Sequence, residues 1–247
     1  MGINPRTTTL PPATIDAMSS LAPPPPRDRS RLAAPQVFEH LRERILSLEL
    51  APGTVLSRAE LAQAHGLSQT PIRDALMRLG EEGLVDIFPQ HATVVSRIDV
   101  GAAAQAQFLR RAIECEVLRT LAARPDEALV ARLRAQVDVQ AALMSGGAYR
   151  ESMEADRRFH RLMYEAAGVP DLFDLVRQRS GHVDRLRRLT LPGPGKAQAI
   201  IADHRRVVDA LAAGDGEAAQ AALREHLSGT LRQIDEIRQR HPDYLTA

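Results

Sequence analysis

Aromatic residues make up only 3% of the 247 residues and tryptophan is absent, so a core of large rings is excluded and helices packed through alanine and leucine are favoured. Cys115 is the single cysteine. It cannot form an intramolecular disulfide or by itself a thiolate metal site, and in an apolar helical stretch it reads as a small buried hydrophobe. A reducing cytoplasm is the expected compartment. No run of eighteen apolar residues occurs, and the start, MGINPRTTTLPPATIDAM, has neither a basic leader nor a continuous apolar stretch, which argues against membrane-spanning and secreted readings. Charge of one sign is lacking too: 32 Lys and Arg face 31 Asp and Glu, a net of +1 that singles out no partner. Gly-rich phosphate loops, a nucleophile elbow and the His-Glu-x-x-His pattern are missing. Leu191-Pro192-Gly193-Pro194-Gly195 lacks a preceding strand and reads as an interhelical turn.

What is present falls into two parts, the favoured domain count for this length. Residues 1–34 carry the run Pro23–Pro26 and few large apolar groups, and read as a disordered arm. Arg27, Arg29 and Arg31 make its end basic, suited to lie along phosphates if the next domain binds DNA. From Pro35 the period is helical: Val37, Phe38, Leu41, Ile45 and Leu48 share one face up to Ala51-Pro52-Gly53. Ser57-Arg58-Ala59-Glu60 is a capping box that opens a short helix ending at Gly66. Ser68 then caps a helix with Ile72, Leu76 and Leu79 on one face, closed by Gly80 and Gly83. After Gly83 the period changes, and Leu84–Phe88 and Thr93–Val95 read as two strands around Pro89–Ala92. Residues 35–96 thus follow the winged helix-turn-helix plan, which lays the N-terminal end of its second paired helix in the major groove of DNA.

Residues 97–100 read as a linker and 101–240 as an all-α antiparallel bundle, with a tail over 241–247. Breaks at Pro125, Gly146-Gly147, Gly168-Val169-Pro170, Leu191–Gly195 and Gly214-Asp215-Gly216 define roughly six helices by that bundle rule.

These residues resemble the GntR superfamily of bacterial transcription regulators, in its FadR subfamily with an FCD-type effector domain. Leu50-Ala51-Pro52-Gly53, Leu61-Ala62, Gly66-Leu67-Ser68, Thr70-Pro71-Ile72-Arg73-Asp74-Ala75-Leu76 and Leu79 through Gly83-Leu84 follow the family signature in order and spacing. Arg110 with Glu114, Asp156 with Phe159-His160, Asp203-His204, Gly214-Asp215 and His226 look like landmarks of the FCD bundle. The resemblance covers roughly 36–235 and implies a cytoplasmic, nucleoid-associated bacterial homodimer that binds double-stranded operator DNA under ligand control, more often a repressor than an activator, and not an enzyme. Gln69 stands where the family usually has Arg, Arg58 where it usually has Glu, and His91-Ala92 where the wing usually has Arg-Gly. Because Gln pairs bidentately with adenine and Arg with guanine, these departures bear on base preference and leave the docking mode alone.

Arg58, Ser68, Gln69, Thr70, Arg73 and His91 are the candidate DNA contacts, with Arg73 foremost. An exposed Arg73 paired to Asp74 or Glu60 is the alternative. Between Pro35 and Ser96 five arginines face eight acids, a net of −3, so DNA binding requires those few cations to be focused on one face.

Asp156 and His160 lie four apart, leaving one helical face a turn apart, and a bundle can bring His204 and His226 from later helices to the same cavity. One carboxylate and three imidazoles suit Zn, Ni, Mn or Fe, and the affinity order alone favours zinc over iron or manganese. The resemblance points to the same four residues as metal ligands. They leave one or two positions on a five- or six-coordinate ion for a small carboxylate metabolite, with Arg110 pairing its charge. The alternative for Arg110 is an i, i+4 salt bridge to Glu114. His182 is a further candidate for the cavity. Two rivals stand beside the regulator reading: a metalloenzyme built on the same Asp and three His, and a pure metal sensor without an organic ligand.

Overall fold

A computed structural model describes residues 24–89, 91–193 and 195–246; residues 1–23 of the expected arm lie outside the described residues. The chain divides into two compact units, residues 1–97 and 98–247.

In the first unit, the stretch just before the first helix is tied down, in contrast to the disorder expected there. Gln36 Nε2 donates to the carbonyls of Asp28, Arg31 and Leu32, and Arg31 pairs with Glu39 at 2.8 Å. Helix α1 (Ala33–Leu46) buries Val37, Phe38, Leu41 and Ile45 as their spacing requires. It stops earlier than the apolar pattern suggested. Leu48 takes a left-handed φ of 65°, the Leu50 amide bonds back to the Arg44 carbonyl, and Leu46 and Leu50 fill the core instead. Strand β1 (Val55–Leu56) leads into α2 (Arg58–His65), whose Ser57 cap accepts from the Glu60 amide at 3.3 Å. Gly66 closes α2 at φ 61°, a conformation glycine adopts without strain. Helix α3 (Gln69–Glu81) buries Ile72, Ala75, Leu76 and Leu79 against α1. Strands β2 (Val85–Phe88) and β3 (Ala92–Val95) pair antiparallel, with Val85 opposite Val95 and Phe88 opposite Ala92. β1 adds to the other edge of β3, giving the order β1-β3-β2, so the expected hairpin is a three-stranded sheet. A two-residue strand carries too little alternation to be read from sequence.

The second unit comprises α4 (Val100–Ala122), α5 (Glu127–Ser145), α6 (Tyr149–Ala166), α7 (Pro170–Arg179), α8 (Gly181–Thr190), α9 (Lys196–Ala212), α10 (Gly216–Ser228) and α11 (Ile234–Arg240). The stretch read as one helix between Pro170 and Thr190 is two, because Ser180 Oγ bonds the Val176 carbonyl at 2.8 Å and the chain turns there. A further short helix, α11, follows Gly229. Helix α4 packs on α10, α8 and α6, while α5 packs on α6 and α9. The main apolar core includes Leu118, Leu133, Phe159, Met163, Val207 and Leu223.

Residues 98–100 of the expected linker and 241–246 of the expected tail belong to this unit, while Arg97 closes the first. Ile98 is fully buried, pairs in parallel with Leu245, and donates to the Tyr244 carbonyl at 2.7 Å. Their side chains share a smaller apolar cluster with Ala103, Val183, Leu186 and Ile237, and burying that surface holds both chain segments in place. Beside it, His182 Nδ1 accepts from the Asp99 amide and stands 3.0 Å from Arg185 Nη2.

That nitrogen faces two donors, so a proton on it is strongly disfavoured. Burial and then Arg185 push the His182 pKa down to about 4. An unfolded histidine titrates near 6.5, so the unfolded chain takes up this proton first as pH falls. The contribution of neutral His182 to stability is therefore complete above about pH 6.5 and is lost as pH falls toward 4, by up to about 3 kcal/mol. Urea unfolding in chelator at pH 7, 5.5 and 4.5 should show His182→Gln less acid-sensitive than the parent; equal slopes would contradict the assignment.

Candidate functional site

The first unit presents most of the expected DNA contacts around the start of α3. Ser68, Gln69, Thr70 and Arg73 are exposed at the N-terminal end of α3, and Ser68 makes no side-chain cap to the helix amides. Arg58 and Arg73 line a groove with Met77, Ile87, Phe88 and His91, formed between α2, α3 and the β2–β3 hairpin. The distribution of the five arginines answers the unfavourable net charge. Arg42 is buried against Glu82 at 2.6 Å, Arg44 pairs with Glu49 at 3.3 Å, and Arg78 lies over the Phe38 ring at 4.2 Å. Among the described residues neither Arg58 nor Arg73 forms an ion pair, so the pairing of Arg73 with Asp74 or Glu60 is not formed. The cations left over are those beside the α3 terminus.

In the second unit, Asp156 and His160 on α6, His204 on α9 and His226 on α10 converge, each offering one ligand atom within 4.8 Å of the others. All four side chains are buried. His204 Nε2 lies 3.2 Å from His226 Nε2 and 3.6 Å from Asp156 Oδ1. Around them stands a set of groups that fix each ring. His160 Nδ1 lies 2.9 Å from Glu114 Oε2 on α4, and His226 Nδ1 faces Asp203 at 3.8 Å. Gln140 on α5 donates its amide to Asp156 Oδ1 at 3.3 Å, which turns its carbonyl oxygen to His204 Nδ1 at 2.8 Å. That oxygen only accepts, so His204 carries its proton on Nδ1 and presents a lone pair from Nε2. The His204 pKa is pushed down to about 3, chiefly by burial, and that of His226 is also driven well down by burial, so both rings are neutral at ordinary pH.

The donor chemistry fits a divalent metal ion. Two nitrogen atoms face each other across 3.2 Å, and His160 Nε2 is buried without any hydrogen-bond partner. Hydrogen bonds to the far ring nitrogens are the usual support of metal-bound histidines, and one carboxylate with three imidazoles is a common donor set.

The charges need balancing. Burial alone would raise the Asp156 pKa, but Arg187, at 2.7 Å, holds it well below the usual carboxylate range. Burial likewise opposes ionisation of Glu114, yet Arg110 and His160 bring its pKa down to about 2. Arg110 Nε bonds Glu114 at 2.7 Å, and the pair is buried. The i, i+4 bridge is therefore formed, and Arg110 also lines a cavity of about 30 Å3 with Gln107, Arg187, Lys196, His226 and Thr230. A second cavity of about 10 Å3 is lined by Gln140, Ser152, Asp156, Arg187, Lys196 and Thr230. His182 lies at the Ile98 end of α8 and lines neither cavity. Sequence reasoning missed Gln140, Arg187, Lys196 and Thr230. A signal existed for Gln140, a polar residue midway between Val137 and Met144 on the buried face of α5.

A winged helix-turn-helix joined to a helical bundle with a polar centre defines a DNA-binding regulator with a separate sensing domain. The FCD domain model matches residues 105–229, and that of the bacterial regulatory proteins of the gntR family matches residues 33–95. The chain belongs to the GntR family of transcriptional regulators and carries an FCD domain. It is 38% identical to an uncharacterized HTH-type transcriptional regulator in an unstable DNA locus of Streptomyces ambofaciens, over 84% of this chain and 87% of that one. It is 28% identical to the HTH-type transcriptional repressor RspR of Escherichia coli K12, over 85% of this chain and 92% of that protein. Among solved structures, E. coli McbR/YncC shares the fold with a TM-score of 0.70 and 20% identity, over 85% of this chain and 99% of that one. The first two of these relatives are named as transcriptional regulators, not enzymes. No helix of the described residues is long and apolar enough to cross a membrane.

Removing Arg187 leaves Asp156 as a buried charge without its strongest partner. Arg187→Ala should cost about 3 kcal/mol of stability in chelating buffer, measured by urea unfolding. A loss below about 1 kcal/mol would show that Asp156 does not depend on it.

Proposed function

We propose that this regulator is a cytoplasmic homodimer, most simply a repressor, whose DNA affinity is set by a metal-assisted small carboxylate bound in the helical unit. The observation that carries this reading is the convergence of Asp156, His160, His204 and His226, with Glu114 and Gln140 orienting two of the rings. These four residues would hold the ion, with zinc the first choice by affinity order. The ion supplies a Lewis-acidic position for an anion, and the chain supplies the cations around it. Arg110 and Arg187 line the adjoining cavities and are suited to a carboxylate, each already balanced by one buried acid.

Operator contact falls to Arg73, Gln69, Thr70 and Ser68 at the start of α3, with Arg58 and His91 flanking the groove. Dimerisation is supported by the large apolar side chains that the helical unit leaves exposed, among them Phe108 on α4 and Leu172 and Leu175 on α7. A ligand that favours one arrangement of paired effector domains would change half-site spacing, and hence affinity, through a coupling free energy.

Two outcomes follow. Arg73→Ala should weaken binding to a duplex from the gene's own upstream region about tenfold or more, in fluorescence anisotropy against a scrambled duplex across a salt series. Unchanged affinity on both duplexes would remove Arg73 from the interface. His204→Ala or Asp156→Asn should abolish stoichiometric zinc uptake after dialysis against chelator, and Gln140→Leu should weaken it about 10- to 100-fold. Zinc content equal to the parent's in all three would refute the site. Metal alone changing DNA affinity, with no acid added, would favour a pure metal sensor.

A further inference from the structure

Two kinds of chemistry meet on one side of α3. Gln69, Arg73 and Met77 follow one another at four-residue steps, so they form a single stripe along that helix, and all three are exposed. Arg73 and Met77 line the groove between α3 and the β2–β3 hairpin, whereas Gln69, one turn earlier, is the first residue of the helix and does not line it.

The groove measures about 470 Å3, and no acid is among the described residues that line it. Between Pro35 and Ser96 eight acids face five arginines, yet this surface holds two of the arginines, Arg58 and Arg73, and leaves every acid outside. Neither arginine has an ion pair among the described residues. Beside them the wall is apolar, with Met77 46% and Ile87 45% exposed. An apolar wall offers a base edge nothing to bond. Cations next to exposed apolar groups match a sugar–phosphate strand, whose phosphates are anionic and whose deoxyribose rings present C–H surface.

The tip of α3 has the opposite character. Ser68, Gln69 and Thr70 are exposed and uncharged, and among the described residues none of their side chains makes a hydrogen bond. Pro71 and the fully buried Ile72 follow, which hold the turn that carries them to a fixed backbone. A Ser or Thr hydroxyl is a single rotatable group that bonds several bases. The Gln amide places a donor and an acceptor side by side, the complement of the N6 and N7 edge of adenine.

We infer that Gln69 is the base-reading residue and selects adenine in the major groove, while the groove beside α3 takes the adjoining sugar–phosphate strand, with Arg58 and Arg73 on its phosphates and Met77 and Ile87 against its deoxyribose rings. This rests on the assignment of the α3 terminus to operator contact and divides that contact in two. Sequence preference is carried by an uncharged side chain, and salt-dependent affinity by two arginines. Arg73 holds the duplex without reading it.

The test uses the full chain and a pool of randomised duplexes, from which bound sites are selected and sequenced. Fluorescence anisotropy then compares the selected duplex with a scrambled one across a salt series. The parent should recover adenine at the position that Gln69→Ala leaves open to all four bases, with a discrimination of about tenfold or more. Gln69→Arg should move that same position to guanine. Arg58→Ala and Arg73→Ala should weaken both duplexes by the same factor and flatten the salt slope by about 1 each, with the selected sequence unchanged. Met77→Ala should weaken both duplexes equally and leave the slope as it is, the signature of a contact without charge. Another base at the Gln69-dependent position, or a base profile unchanged in Gln69→Ala, would overturn the adenine assignment. A base preference lost in Arg73→Ala, or salt slopes unchanged in both arginine variants, would overturn the assignment of the groove to the backbone. Recovery of no common sequence by the parent would overturn operator recognition at α3, on which both assignments rest.

Discussion

The helical unit is organised around a carboxylate that has almost no access to water. Asp156 sits at the centre of the bundle, and a charge so placed is tolerated only where neighbours compensate it. Arg187 from α8, Gln140 from α5 and the imidazoles from α6, α9 and α10 are those neighbours. Five of the helices are therefore tied to one side chain. The same constraint sets the tautomer of His204, since Asp156 orients the Gln140 amide and that amide orients the ring. Chemistry and architecture are inseparable here, because the groups that stabilise the buried charge are also the groups that aim the ligand atoms.

Helix α8 has a position of its own in this arrangement. Arg187, near one end, reaches Asp156, while His182, near the other, accepts from the amide of Asp99 at the start of the unit. Arg185 between them is wholly buried. This short helix thus has a buried polar contact near each end, both within the helical unit.

The DNA-binding unit solves an electrostatic problem by sorting rather than by composition. Its net charge disfavours a polyanion, but three of the five arginines are used structurally, on Glu82, Glu49 and the Phe38 ring. Two of the eight acids, Glu82 and Glu49, are neutralised by those same pairs. What remains at the start of α3 is a pair of arginines without an ion pair among the described residues, beside small polar side chains. Net charge was a poor guide because it sums groups that face different surroundings.

The winged helix-turn-helix plan, the helical second domain, the caps of α2 and the pairing of Asp156 with His160 were all legible in the sequence, since each depends on spacing within a few residues. Periodicity and glycine positions encode such local features directly. The early end of α1 at Leu46, the β1 strand and the break at Ser180 were not, because left-handed Leu48, a two-residue edge strand and a single hydroxyl back-bond leave no periodic trace. The burial of Ile98 against Leu245 joins residues far apart in the chain, and no local pattern marks it. The same holds for the site. Sequence supplied the four ligand candidates and Arg110, whereas the tertiary structure decided that Gln140, Arg187 and Lys196 line the cavities beside them and that Arg187 is the ion-pair partner of Asp156. Ligand spacing on one helix is a property of the helix, while charge balance belongs to a space enclosed by several, and only the packing of those helices creates it.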